Sequence, residues 1–193
     1  LKKNTTTLML SAPLVAGALI LAGCSAPAPV PGGNTTTSQH AAGHEHNGAD
    51  TTFAQMMIPH HEQAVLMSET MLKKNNLHTE TVKLVTDIKN AQAPEIKLME
   101  SWLEGWGEPR EMGHPMAMES MLGEEDLQAL TNAQGRAAEE LFLNQMIGHH
   151  LGATKMAKDA LKNGKDPRVL ELGRKIIADQ NAEIAHMRDM LKK

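Results

Sequence analysis

Four stretches of the chain carry apolar residues at three- and four-residue spacing, the period of an amphipathic helix. The pattern predicts helices over roughly 51–75, 79–104, 136–163 and 167–192, with a short one at about 124–131 after Gly123. Ala, Leu, Met, Glu, Gln and Lys dominate these stretches, and all of them favour helix. Asn75-Asn76 and Asn163-Gly164 mark helix stops, whereas Asp166-Pro167 reads as an N-cap followed by proline in the first turn. Pro59 and Pro94 fall inside predicted helices and are expected to kink or loosen them.

The pattern is written twice. Phe53, Met57, Ile58, His60, His61, Ala64 and Met67 return 89 residues later as Phe142, Met146, Ile147, His149, His150, Ala153 and Met156. Asp50 and Glu139 share the position three residues before the Phe. A second block, Ile88, Gln92, Glu95, Ile96, Met99 and Leu103, returns at an offset of 88 as Ile176, Gln180, Glu183, Ile184, Met187 and Leu191. Two copies are too few for a solenoid. Two helix hairpins make a four-helix bundle with a pseudo-twofold axis, so the expected fold is all-α.

Composition narrows the chemistry. A chain of 193 residues with 41% apolar content suits one packed domain. Aromatics are 2%, without Tyr, and the net charge is −4 with no basic block beyond Lys2-Lys3. Nucleic-acid binding through stacking or a phosphate-facing surface is therefore excluded as a reading. There are 14 Met and 10 His against one Cys. Thioether and imidazole without thiol point to a soft metal.

The single Cys belongs to the N-terminal leader. Lys2-Lys3 precede the apolar run 8–22, which is short for a membrane span and is interrupted by Pro13. Leu21-Ala22-Gly23-Cys24 resembles a lipoprotein lipobox. Residues 1–23 are thus expected to be a signal peptide, with Cys24 lipidated and the domain held at the cell envelope, facing the periplasm or the outside. Residues 24–49 read as a flexible tether. Its end carries His40, His44 and His46, either plain linker histidines or an exposed metal-collecting tract.

On a wheel of about 100° per residue, His60 shares one face of the first helix with Met56, Met57 and Met67, and His149 repeats this with Met146 and Met156. His61 and His150 sit at the edge of that face, where they are expected to reach the rim. A Met stripe alone is usually core filling. The doubled His-His-Met arrangement favours metal, since buried imidazoles that serve only packing carry a desolvation cost. Thioether with imidazole selects copper, Cu(I) before Cu(II), with Ag(I) as its mimic.

Accessory ligands are expected in the segment between the repeats, where Met112, His114, Met116, Met118 and Met121 surround Gly113 and Pro115. That segment is either a hydrophobic cover or a metal-capture loop. Gln92, Glu95, Gln180 and Glu183 lie at helical spacing and could orient the imidazoles, as could Asp50 and Glu139; solvated polar positions are the alternative. Glu183 and His186 form a Glu-x-x-His pair, but the matching position in the first copy is Leu98. A di-iron site needs both pairs, which weighs against a ferritin-type oxidase.

The doubled M-I-x-H-H-x-x-A-x-x-M block, each time followed by Q-x-x-E-I-x-x-M, resembles a ferritin-like bacterial domain of unknown function, a family that includes CopM-type periplasmic copper-binding proteins. The resemblance spans about residues 50–193. It implies a ferritin-like four-helix metal-binding domain and copper ligation drawn from Met57, His60, His61, Met67, Met146, His149, His150 and Met156. The reading is a non-enzymatic copper-binding lipoprotein for sequestration, tolerance or transfer to a partner protein. Its rivals are a ferritin-like di-metal oxidase and an envelope scaffold without metal.

Overall fold

A computed structural model describes residues 45–113 and 120–193, all within the unit His40–Lys193. The signal peptide, Cys24, His40, His44, His114, Met116 and Met118 lie outside the described residues. Five helices follow one another: α1 Gly48–Leu72, α2 Thr79–Trp106, α3 Glu124–Asn132, α4 Gly135–Asn163 and α5 Pro167–Met190. Among the described residues there are no strands, and no helix is long and apolar enough to cross a membrane.

The helix ends follow local chemistry. α1 starts three residues earlier than the periodicity predicts, because Asn47 and Asp50 form a capping box. The Asn47 side chain accepts from the Ala49 and Asp50 N–H groups, and Asp50 accepts from the Asn47 N–H. α2 runs to Trp106 and stops at Gly107, whose φ of 73° is the left-handed conformation that glycine adopts without strain. Asp166 caps α5 through the Arg168 N–H, and Pro167 opens the helix. Neither Pro59 nor Pro94 ends its helix. Pro59 is half-buried and Pro94 exposed, so packing on the other faces carries each rod past its missing N–H.

The long helices pair as antiparallel hairpins, α1 with α2 and α4 with α5, and α1 joins the hairpins by packing against α4. Partners at both ends fix the antiparallel sense of the α1–α4 pair: Asn47 donates to the Asn163 carbonyl, and Lys74 to the Ala133 carbonyl. α3 lies over the α1–α4 seam, its Leu130 buried.

The core is divided in two. One apolar cluster holds Met67, Met71, Val85, Ile88, Phe142, Met146 and Met187. The other holds Phe53, Met57, Met99, Trp102, Ala157 and Ile176. Every long helix crosses from one cluster to the other and carries polar residues at the crossing. On α1 these are His60 and His61, on α2 Gln92 and Glu95, on α4 His149 and His150, and on α5 Gln180 and Glu183. A polar layer thus cuts across the middle of the apolar core.

Candidate metal centre

All four imidazoles of the layer are buried, each at most 1% exposed. This corrects the expectation that His61 and His150 reach the rim. The 100° that separates them from their neighbours turns them toward the hairpin partner helix rather than toward solvent. His61 Nε2 is 2.9 Å from Glu95 Oε2, and His150 Nε2 is 2.6 Å from Glu183 Oε2. His60 and His149 meet across the α1–α4 seam, their ring centroids 3.7 Å apart at 32°. His60 Nε2 also lies 3.3 Å from Ser120 Oγ.

Much of the layer's hydrogen-bonding capacity goes unused. Among the described residues, the Nδ1 atoms of His60, His61, His149 and His150, the Nε2 atom of His149, and the Oε1 atoms of Gln92 and Gln180 are buried without a partner. A buried polar atom without a partner costs roughly 1–3 kcal/mol. These nitrogens fit a ligand that accepts lone pairs, as a soft cation does. Among the described residues no three His, Cys, Asp or Glu are arranged to hold a metal ion by themselves.

Burial keeps the layer uncharged at its centre. It lowers His60 to about 3, helped by the nearby His61 and His150, and holds His149 well below the ordinary value, with His60 next in effect. Burial also lowers His61, although Glu95 opposes it. Burial alone would raise Glu95, but hydrogen bonds from His61 and Lys175 outweigh it and hold the carboxyl low. The contact at this site is a neutral imidazole on an ionised carboxylate. Lys175 pairs with Glu95 at 2.9 Å and has no repeat equivalent, Asp87 standing at its place in the first copy.

The methionines flank the layer. Met57, Met67 and Met146 are fully buried, Met57 in one apolar cluster and Met67 and Met146 in the other. Met56 and Met156 are half-buried and line an open groove along the α1–α4 seam, together with Ser120, Gly148 and Lys155. Ser120 reaches His60 from this side, so the groove borders the His60–His149 pair. Met112 and Met121 are half-buried at the two ends of the inter-hairpin segment. That segment is pinned across α1: Gln55 donates to the Pro109 carbonyl, and Gln63 exchanges two hydrogen bonds with the Leu122 backbone.

Other expected site residues fall elsewhere. Asp50 and Glu139 do not orient the imidazoles; each holds the loop of the opposite hairpin. Asp50 accepts from the Lys165 and Asp166 N–H groups, and Glu139 accepts from the N–H and Nδ1 of His78. Their place one turn into α1 and α4 puts them at the bundle ends, far along the helix from the His pairs. His186 is exposed on α5, 3.8 Å from Glu80, so the Glu183-x-x-His186 pair does not converge on one site. His46 stacks on Trp106, ring centroids 4.5 Å apart at 6°, beside Glu108. Sequence reasoning missed Ser120 and Lys175. Neither belongs to the repeat, and only the tertiary arrangement brings them to the layer.

These features define an all-helical protein with a buried imidazole layer at mid-core. The chain belongs to the DUF305 family, described as a domain of unknown function, whose sequence profile matches residues 50–191. No functionally curated protein matches it. Among solved structures, a Streptomyces coelicolor DUF305 protein described as a candidate secreted protein is 31% identical, with a TM-score of 0.72 over 75% of this chain and 92% of that one. A Deinococcus radiodurans DUF305 fragment is 31% identical, with a TM-score of 0.69 over 76% and 97%. CopM is 35% identical in its Cu(I)-bound form, with a TM-score of 0.63 over 74% and 95%; it has also been solved with Cu(II) and with Ag bound.

Proposed function

We propose that this protein is an extracytoplasmic copper-binding lipoprotein, anchored through Cys24, that takes up Cu(I) for sequestration or for transfer to a partner. In this reading it binds its ion and does not catalyse a reaction, and the two hairpins form a ferritin-like four-helix bundle. The observation that carries it is the mid-core layer of four buried imidazoles with unpartnered ring nitrogens. The likeness to CopM, solved with Cu(I), Cu(II) and Ag, supports copper as the ion. The thioethers of Met56, Met57 and Met156 near the layer favour the softer Cu(I). The site has both an interior and an access side, because the groove lined by Met56 and Met156 borders His60 through Ser120.

The test is an anaerobic Cu(I) titration against a competing chelator, on the chain carrying Cys24→Ser so that no thiol contributes. His60→Ala with His149→Ala is expected to weaken binding at least about tenfold while the helical circular dichroism is kept. Replacing His40, His44 and His46 by Ala should cost much less, since they belong to the segment whose sequence reads as a tether. Equal losses in the two variants would move the principal site out of the bundle.

A further inference from the structure

An ionised carboxylate accepts hydrogen bonds and cannot donate them. Glu95 lies 2.9 Å from His61 Nε2 and Glu183 lies 2.6 Å from His150 Nε2. In both contacts the imidazole must donate, which places its proton on Nε2. An imidazole that binds a metal through one nitrogen while donating from Nε2 must do so through the lone pair of Nδ1. In both rings Nδ1 is buried and has no partner among the described residues. The arrangement occurs twice, at repeat-related positions on separate hairpins.

We propose that Glu95 and Glu183 are positioning residues that hold His61 and His150 as Nε2–H tautomers, so that copper is bound through their Nδ1 atoms while both carboxylate contacts persist. This rests on the copper reading above and adds the donor atom to it. A carboxylate behind an imidazole also makes the far nitrogen a better donor, as in other metal sites whose histidines are held by carboxylates. Among the described residues, the tilted His60–His149 pair has no such carboxylate. His60 Nε2 meets the Ser120 hydroxyl, and no carboxylate among them contacts a ring nitrogen of His149.

The experiment is nitrogen-15 NMR of the histidine rings in the full chain carrying Cys24→Ser, before and after addition of Ag(I). Metal-free protein should show protonated Nε2 and bare Nδ1 at His61 and His150. With Ag(I), the Nδ1 signals should shift and split by coupling to silver, while the Nε2 protons remain. Splitting at Nε2, with loss of its proton, would overturn the proposal and leave the copper reading standing. Ag(I) that moves no ring nitrogen of the layer would overturn both. Glu183→Leu should lower Ag(I) affinity about 10- to 100-fold, and Glu183→Gln, which keeps an acceptor and the shape, should lower it less. Unchanged affinity in Glu183→Leu, with the protein still helical, would remove the carboxylate's positioning role.

Discussion

The four histidines gain their character from burial rather than from identity. An imidazole in water takes a proton near 6.5, but His60 resists protonation until about 3 because the charged form would sit in the core. The unfolded chain binds that proton and the folded chain does not. Stability of the metal-free protein is therefore complete above about 6.5 and declines as the pH falls from there toward about 3. His149 and His61 are displaced in the same direction and add to the loss. Glu95 and Glu139 are held low, so their contribution is present above the ordinary carboxylate range and disappears below it. Each tenfold displacement of such an equilibrium is worth about 1.4 kcal/mol, so the combined effect is several kcal/mol. Thermal melts of the chelated protein should show the midpoint falling steadily between about pH 7 and pH 4. A midpoint constant over that range would mean that the layer is hydrated and its imidazoles titrate normally.

Helix ends and helix glycines separate two kinds of position that look alike in the sequence. Gly148 is exposed in the middle of α4, and a Cβ there would meet nothing within 4 Å. Gly148→Ala should stabilise the protein by about 0.5–1 kcal/mol through helix propensity alone. Gly164 sits at the α4–α5 turn, where a Cβ would lie 2.5 Å from Asp50 Oδ1 and 2.7 Å from the Ala160 carbonyl oxygen. Gly164→Ala must push Asp50 off the loop N–H groups that it holds, so it should lower the melting temperature. Chemical denaturation of the two variants checks both signs. Similar shifts in both would mean that the Asp50 contact contributes little to holding the hairpins together. The Asp50 and Glu139 contacts are an element-level device: each hairpin supplies the carboxylate that orders the other's loop.

At the scale of the whole molecule, two apolar clusters close over one polar layer. Away from the layer, Phe53, Phe142, Ile88, Ile176 and their neighbours bury apolar surface against one another. The metal-free protein is expected to fold by itself, unlike a small metal-dependent domain. Circular dichroism of the chelated protein should be mainly helical, and copper should raise the melting midpoint with little change in helix content. A coil spectrum that becomes helical only when copper is added would contradict this.

How much was legible in advance depends on whether a feature is local or long-range. The helices, the doubled hairpin and the Asp166-Pro167 cap lie in periodicity and neighbouring residues, which a single strand of sequence contains in full. The identities of His60, His61, His149 and His150 were likewise visible, because a polar pair repeated inside an apolar stripe breaks the pattern in both copies. The direction in which His61 and His150 point was not, since a position at the edge of a helix face becomes rim or interior only when a second helix packs there. Asp50 and Glu139 were misread for the same reason: their partners, the Lys165 and His78 backbones, lie on the other hairpin. Ser120 beside His60 and Lys175 beside Glu95 carry no local signal at all. The sequence by itself thus determined the elements and which side chains are imidazole or thioether. The packing of α1 on α4 and of each hairpin on itself decided which nitrogens are tied up and which are left bare, because hydrogen-bond partners across helices exist only once the helices have met.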